Sequence, residues 1–261
     1  MVYAPFDLTG KVVLVTGGNR GIGYGMAEAL AASNAHVAIW GRNAQSNAAA
    51  VDALSGLGNG EVKAWTVDVA DEAAVVEATS AVVADMGRID SCFANAGVGF
   101  GAPSCTEMDT ETWQKNMRIN LDGAFWTLRE SVKHIVARAK DGDPGGSVIG
   151  TASLAAIEGA ARNQAYAATK GGLISMLKGI AVETARYGIR ANAILPGWIA
   201  TDMTEAAQNA QVFQDKVISR VPIRRWGEPK DFGGVAVYLA SDASAYHSGD
   251  TFIVDGGYSI F

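Results

Sequence analysis

The sequence predicts an α/β fold in which a seven-stranded parallel sheet is doubly wound, with helices on both faces. Three observations predict it. Short β-branched runs alternate with longer segments of helical apolar spacing along all 261 residues. The first such run ends in a glycine-rich turn that opens directly into a helical pattern. No linker, low-complexity stretch or internal repeat breaks the alternation, so residues 1–261 are expected to form a single domain.

The elements follow in order. Residues 11–16 (KVVLVT) form a β-branched run bounded by glycines, the pattern of a strand buried on both faces. Residues 17–23 are the glycine turn, and 24–33 carry the first helix. Residues 36–40 are the second strand, and 44–57 a helix closed by a Gly/Asn cluster at 56–60. The alternation repeats at 62–67 (strand), 73–86 (helix), 89–94 (strand) and from about 116 to 139 (helix). Residues 141–146 make a polar turn before a fifth strand at 147–151. A long helix opens near Asn163 or Gln164, and a sixth strand spans 189–195. A helix at 227–240 and a last strand at 251–254 complete the set. Parallel sheets collect ligands at the carboxyl ends of their strands, so the residues just after each strand are the informative ones.

Composition excludes several classes. A net charge of −6 argues against nucleic acid, whose phosphates demand a basic stripe. No apolar run approaches the roughly 18 residues that span a membrane. Residues 1–11 lack the basic-then-apolar pattern of a secretory signal, and a cytoplasmic protein is expected. Cys92 lies in a strand-like run and Cys105 in a Pro/Ser loop, one core thiol and one loop thiol. His36, His134 and His247 have no metal-like spacing, so no metal is expected.

The turn after the first strand reads Thr16-Gly17-Gly18-Asn19-Arg20-Gly21-Ile22-Gly23. Gly17 lets the chain turn, Gly21 lets backbone approach a pyrophosphate, and Gly23 lets helix pack on strand. The helix N-terminus offers N–H groups and partial positive charge to the diphosphate. NAD-selective sites place Asp or Glu at the end of the second strand, whereas this chain reads Trp40-Gly41-Arg42-Asn43. Arg42 and Arg20 can hold a 2′-phosphate, which favours NADP(H), with NAD(H) the alternative; both arginines also fit a solvated surface. Trp40 either flanks the adenine or caps the strand. Asp68-Val69 follows the third strand, where Asp68 either meets the adenine amino group or caps the next helix, a role Asp71 also fits. Asn95-Ala96-Gly97 supplies a small turn under the cofactor.

Tyr166 and Lys170 are four residues apart, on one face of the long helix. A free tyrosine titrates near pH 10, and bringing it to about 7 needs about 4 kcal/mol in favour of the phenolate. A cation about 4 Å away at an effective dielectric near 20 supplies that much. Lys170 is therefore expected to tune Tyr166 into a general acid/base.

With these motifs in place, the chain resembles a short-chain dehydrogenase/reductase along its whole length. The resemblance rests on TGGNRGIG at 16–23, NAG at 95–97, YAATK at 166–170, PGWIATD at 196–202 and DGG at 255–257. It implies a Rossmann-type fold and a catalytic tetrad of Asn120, Ser153, Tyr166 and Lys170. Ser153 stands thirteen residues before Tyr166, the family separation. Asn120 is expected to interrupt its helix and to help hold water in a proton relay to Lys170. By the same resemblance, Pro196, Gly197, Ile199 and Thr201 contact the nicotinamide end, and Tyr166 and Lys170 also reach the cofactor. The implied activity is hydride exchange between NAD(P)(H) and a small ketone or secondary alcohol.

Two alternatives accompany it. One is a 3-oxoacyl thioester reductase, for which Arg129 and Lys133 are candidates for a basic rim. The other is a dinucleotide sensor without turnover, which the intact tetrad disfavours. Residues 98–101, 154–163 and 198–220 are expected to wall the substrate pocket, the last as a lid. Candidate wall residues are Phe100, Leu154, Ile157, Asn163, Trp198, Met203 and Phe213. The resemblance further implies a homotetramer, and the large apolar groups of the tail at 257–261 argue that it is docked.

Overall fold

The computed structural model describes residues 4–261. The first three residues of the amino-terminal segment read above lie outside that range. In chain order the elements are β1 (Val12–Thr16), α1 (Gly21–Ala32), β2 (His36–Gly41), α2 (Ala44–Leu54), β3 (Val62–Thr66), α3 (Glu72–Met86) and β4 (Ser91–Ala94). Then come α4 (Thr110–Asn116), α5 (Gly123–Lys140), β5 (Gly146–Thr151), α6 (Gln164–Thr184) and β6 (Ile189–Pro196). Two short helices, α7 (Glu205–Gln208) and α8 (Gln211–Lys216), precede α9 (Gly233–Ala240) and β7 (Thr251–Val254).

The seven strands form one sheet in the order β3-β2-β1-β4-β5-β6-β7, every pair parallel. β1 has β2 on one side and β4 on the other, so the winding reverses there. The crevice at the carboxyl ends of β1 and β4 is where such a sheet receives a ligand. Each face of the sheet carries a core. Leu14 and Ala38 join the core that includes Leu128, Leu173 and Leu177, while Val13, Val15 and Ile39 join the one with Met26, Leu30 and Leu239. Adjacent residues of a strand thus serve opposite cores, which is why these strands are apolar throughout rather than alternating.

Caps set several boundaries. The Asn43, Asp71 and Asp109 side chains accept first-turn N–H groups of α2, α3 and α4. Asp71, not Asp68, is therefore the cap of α3. The helix expected from about residue 116 begins earlier, at Thr110, and is broken by a π-helical segment, Met117–Asp122, before α5. α1 begins at Gly21, inside the glycine turn, rather than at residue 24. The helix expected at 227–240 is shorter because Pro229–Phe232 forms a separate 3₁₀ turn before α9. Trp40 is 1% exposed within the core, so packing, not adenine stacking, explains it. No helix among the described residues is long and apolar enough to cross a membrane.

Candidate active site

The glycine turn is fastened to the end of β4. The Thr16 hydroxyl accepts the N–H groups of Asn95 and Ala96, both at 2.9 Å, and Asn95 Nδ2 donates to the Thr16 carbonyl at 2.9 Å. Gly17 and Gly21 adopt φ of +66° and +54°, which other residues resist. A Cβ on Gly23 would fall 2.3 Å from the Gly17 carbonyl oxygen and 2.5 Å from Asn95 Nδ2. Gly23 thus packs on the turn itself as well as allowing the helix to approach. Ile22 is half-buried behind it. No side chain caps the start of α1, which leaves its first N–H groups for an anionic ligand. This cradle fits a dinucleotide diphosphate.

At the ribose end, Arg42 is exposed and has no carboxylate partner among the described residues. Arg20 does have one: its Nη1 lies 3.0 Å from Asp202 Oδ2, which joins the glycine turn to the segment after β6. Both side chains of that pair are largely exposed, so the pairing leaves the Arg20 guanidinium at the surface beside the glycine turn. The exposed Asp68 carboxylate accepts the Ala70 N–H at 3.0 Å, and Val69 is buried against Gly123.

The proposed tetrad converges at the carboxyl ends of β4 and β5. Lys170 is 4% exposed, and its ammonium donates to the Thr151 carbonyl oxygen at 2.7 Å. It lies 5.5 Å from the centroid of the Tyr166 ring, one turn back on α6. Ser153, at the end of β5, accepts the Ala155 N–H at 3.2 Å and is in hydrogen-bonding contact with the Tyr166 phenol. Asn120 lies in the π-helical segment, as the resemblance implied. Its Oδ1 accepts the Val98 N–H and its Nδ2 donates to the Val98 carbonyl oxygen, both at 2.8 Å. Gly97 separates the two ends of the set: a Cβ there would be 3.1 Å from Asn120 Oδ1 and 3.5 Å from Lys170 Nζ.

The electrostatics differ from the simple expectation. Burial pushes the Tyr166 phenol above the ordinary tyrosine value, and the hydrogen bond from Ser153 opposes that rise. Burial also pulls Lys170 down to about 8. In the protein alone, then, desolvation outweighs the Ser153 hydrogen bond at the phenol, and the same dry pocket pulls Lys170 toward its own neutral form. Tyr166 is held as a protonated phenol at neutral pH.

At the far end, Pro196 closes β6, and the Gly197 N–H is bonded to the Val254 carbonyl oxygen at 3.0 Å. Ile199 is buried, and the Thr201 methyl lies 3.4 Å from where a Gly21 Cβ would stand. The segment after β6 therefore folds back over the glycine turn. Trp198 meets Phe213 edge-on at 4.6 Å, with Trp226 and Tyr258 each 6.4 Å away, forming an aromatic support for this segment. Phe100, Ile157 and Met203 are exposed, and Asn163 lies against Gly101. Leu154, another candidate wall residue, is buried at 6% exposure.

Comparison with known proteins gives the same picture. The family model described as enoyl-(acyl carrier protein) reductase matches residues 17–259. The chain is 34% identical to gluconate 5-dehydrogenase of Gluconobacter oxydans (strain 621H), over 98% of this chain and 97% of that one. It is 36% identical to the 3-oxoacyl-[acyl-carrier-protein] reductase FabG of Chlamydia pneumoniae, over 96% and 97%. The chain belongs to the short-chain dehydrogenase/reductase family. Among solved structures, the NADPH-dependent 3-quinuclidinone reductase from Rhodotorula rubra superposes with a TM-score of 0.91 at 30% identity, covering 100% of this chain and 96% of that one.

This short-chain dehydrogenase/reductase is an oxidoreductase that interconverts alcohol and ketone groups with a nicotinamide dinucleotide. Sequence reasoning missed several of its site-bordering residues. Trp226 and Tyr258 gave no signal as supports of the segment after β6. Arg129 and Lys133, read as a candidate basic rim, are paired: Arg129 with Glu72 and Glu130 at 2.8 and 2.6 Å, Lys133 with Glu130 at 2.8 Å. A buried amide, Asn47, also went unread. No group of three or more His, Cys, Asp or Glu side chains converges among the described residues.

Proposed function

We propose that this chain is an NADP(H)-preferring carbonyl reductase and alcohol dehydrogenase for a small polar ketone or its secondary alcohol. The observation that carries it is the Tyr166–Ser153 contact beside a desolvated Lys170, at the end of an uncapped glycine cradle. Gly17, Asn19, Arg20, Gly21, Ile22 and Gly23 would hold the diphosphate side, and Arg42 the 2′-phosphate. Asp68 and Val69 would hold the adenine. Asn95, Ala96, Gly97, Pro196, Gly197, Ile199 and Thr201 would line the nicotinamide side. When bound, the nicotinamide supplies a hydride to the carbonyl carbon or takes one from the alcohol carbon.

The chain's own residues handle the proton. Tyr166, kept protonated by burial, donates its phenolic proton to the substrate oxygen as negative charge develops there. Ser153 hydrogen-bonds the same oxygen and orients it. Lys170, fixed on the Thr151 carbonyl, stabilises the phenolate left behind. Asn120 holds the Val98 backbone, and so the wall over Lys170, in place. In oxidation each proton step reverses.

A polyhydroxylated substrate is supported by the gluconate 5-dehydrogenase relative. The Chlamydia pneumoniae relative supports a 3-oxoacyl thioester instead. The neutralised Arg129 and Lys133 weigh against an acidic carrier protein at that rim. A single chain forming one domain, with a lid over residues 198–220, fits this chemistry. A homotetramer is supported by apolar side chains left exposed on one protomer, among them Phe125, Val182, Ile253 and Ile260.

The test is a panel of keto sugars, simple ketones and acetoacetyl-CoA, each with NADPH and NADH, read as reduced-nicotinamide absorbance. The proposal expects turnover of a small polar ketone with NADPH favoured, and Arg42→Asp weakening NADPH far more than NADH. A preference for acetoacetyl-CoA selects the thioester reading. An unchanged cofactor ratio in Arg42→Asp ends the role given to Arg42.

A further inference from the structure

Asn47 is a polar residue in the first turn of α2, yet it is only 3% exposed. Its amide is used on three sides. Nδ2 donates to the Gly41 carbonyl oxygen at 3.0 Å and to the Trp65 carbonyl oxygen at 3.2 Å. Oδ1 accepts from Asn19 Nδ2 at 2.7 Å. One side chain thereby ties the glycine turn, the end of β2 and the end of β3 together. A buried amide is tolerated only when so satisfied, and once satisfied it is hard to displace.

The pair stands in a consequential place. Gly41 is the last residue of β2, twenty positions after Gly21, where a dinucleotide fold selecting NAD carries its ribose-binding carboxylate. A Cβ on Gly41 would fall 2.3 Å from Asn19 Nδ2 and 2.3 Å from Asn47 Oδ1. Side-chain tips often swing clear of such a clash. Asn47 is held by two backbone carbonyls, and Asn19 is held by Asn47. A carboxylate there would stand between Oδ1, which has no proton to offer, and Asn19 Nδ2, so it enters only by taking that donor from Asn47.

We propose that Asn47 is a positioning residue for cofactor choice. With Asn19 it fills the space that an acidic side chain at position 41 requires, and it fixes the backbone from which Arg42 departs. The inference rests on the NADP(H) reading above and names the feature behind Arg42 that enforces it.

The experiment compares the wild-type full-length chain with Gly41→Asp, Asn47→Ala and the double variant. Dissociation constants for NADPH and NADH are measured by fluorescence, alongside kcat, KM and thermal midpoint. Gly41→Asp alone is expected to weaken both cofactors by about tenfold or more, since the carboxylate cannot enter without breaking the amide pair. Adding Asn47→Ala is expected to recover NADH binding by about fivefold over Gly41→Asp alone while NADPH stays weak, a non-additive result. Asn47→Ala alone is expected to raise KM for NADPH with kcat nearly unchanged, and Asn47→Ser to restore part of the loss.

Two results overturn the proposal. One is Gly41→Asp binding NADH as tightly as the double variant. The other is Asn47→Ala lowering the thermal midpoint with the NADPH-to-NADH ratio unmoved, a purely structural role. If Asn47→Ala does not fold, Asn47→Ser paired with Gly41→Asp provides the same comparison. A wild-type preference for NADH defeats the NADP(H) reading by itself, and is seen separately from the coupling between positions 41 and 47.

Discussion

The Lys170 ammonium stands 5.5 Å from the centre of the Tyr166 ring and gives its hydrogen bond to the Thr151 carbonyl oxygen. The two groups share a turn of α6 and a dry pocket, and each is pushed toward its neutral form by that dryness. Four predictions can be measured, three of them at this site.

The first concerns Ser153. Its hydrogen bond lowers the Tyr166 value against the rise caused by burial. Removing it in Ser153→Ala should therefore raise the phenol's pKa. The alkaline rise in kcat/KM for alcohol oxidation should move to higher pH, with kcat reduced by roughly 10²-fold or more as an oxygen-orienting donor is lost. A limb that stays put or moves to lower pH contradicts the assignment.

The second concerns Lys170 and stability. Its value in the folded protein, about 8, lies below the ordinary 10.5, so between these limits the unfolded chain binds more protons. Stability from this group therefore rises with pH across that window, and the cost of burying the charge is fully felt below it. Urea unfolding should show a gain of about 2 kcal/mol between pH of about 7.5 and 9.5 relative to Lys170→Met. Parallel pH dependences in the two proteins would remove the desolvated ammonium from the account.

The third concerns the opposite end of the sheet. Asp90 is buried, accepts the Val12 N–H at 2.9 Å and is clasped by Arg88, with Arg138 Nη2 3.4 Å away. Asp90→Ala leaves two guanidinium groups and an N–H without this partner. It should destabilise by about 3–5 kcal/mol in urea unfolding, and Asp90→Asn, which keeps an acceptor for Val12, by less. A loss below about 1 kcal/mol for Asp90→Ala would make this pairing incidental.

Much of this was legible because it depends on local pattern. The strands could be read because residues such as Val13 and Leu14 serve opposite cores, so the run is apolar without alternation. The glycine turn could be read because its backbone leaves little choice of residue, and the Tyr166–Lys170 pair because helical spacing fixes a shared face. What stayed hidden is tertiary. Asn47 lies in a sequence, AQSNAAA, that looks like an exposed helix; only the approach of Asn19, Gly41 and Trp65 makes it a buried clasp. The Arg20–Asp202 pair joins residues 182 positions apart. The balance of charge and desolvation at Lys170 depends on surrounding atoms that no spacing reveals.

The most direct measurement is the turnover of Tyr166→Phe beside its affinity for NADPH. The substitution removes one oxygen and keeps the ring beside Lys170. The account predicts that kcat falls by at least about 10²–10⁴-fold, the span of a lost general acid, while the NADPH dissociation constant changes by no more than a few-fold. Wild-type kcat in Tyr166→Phe would contradict it.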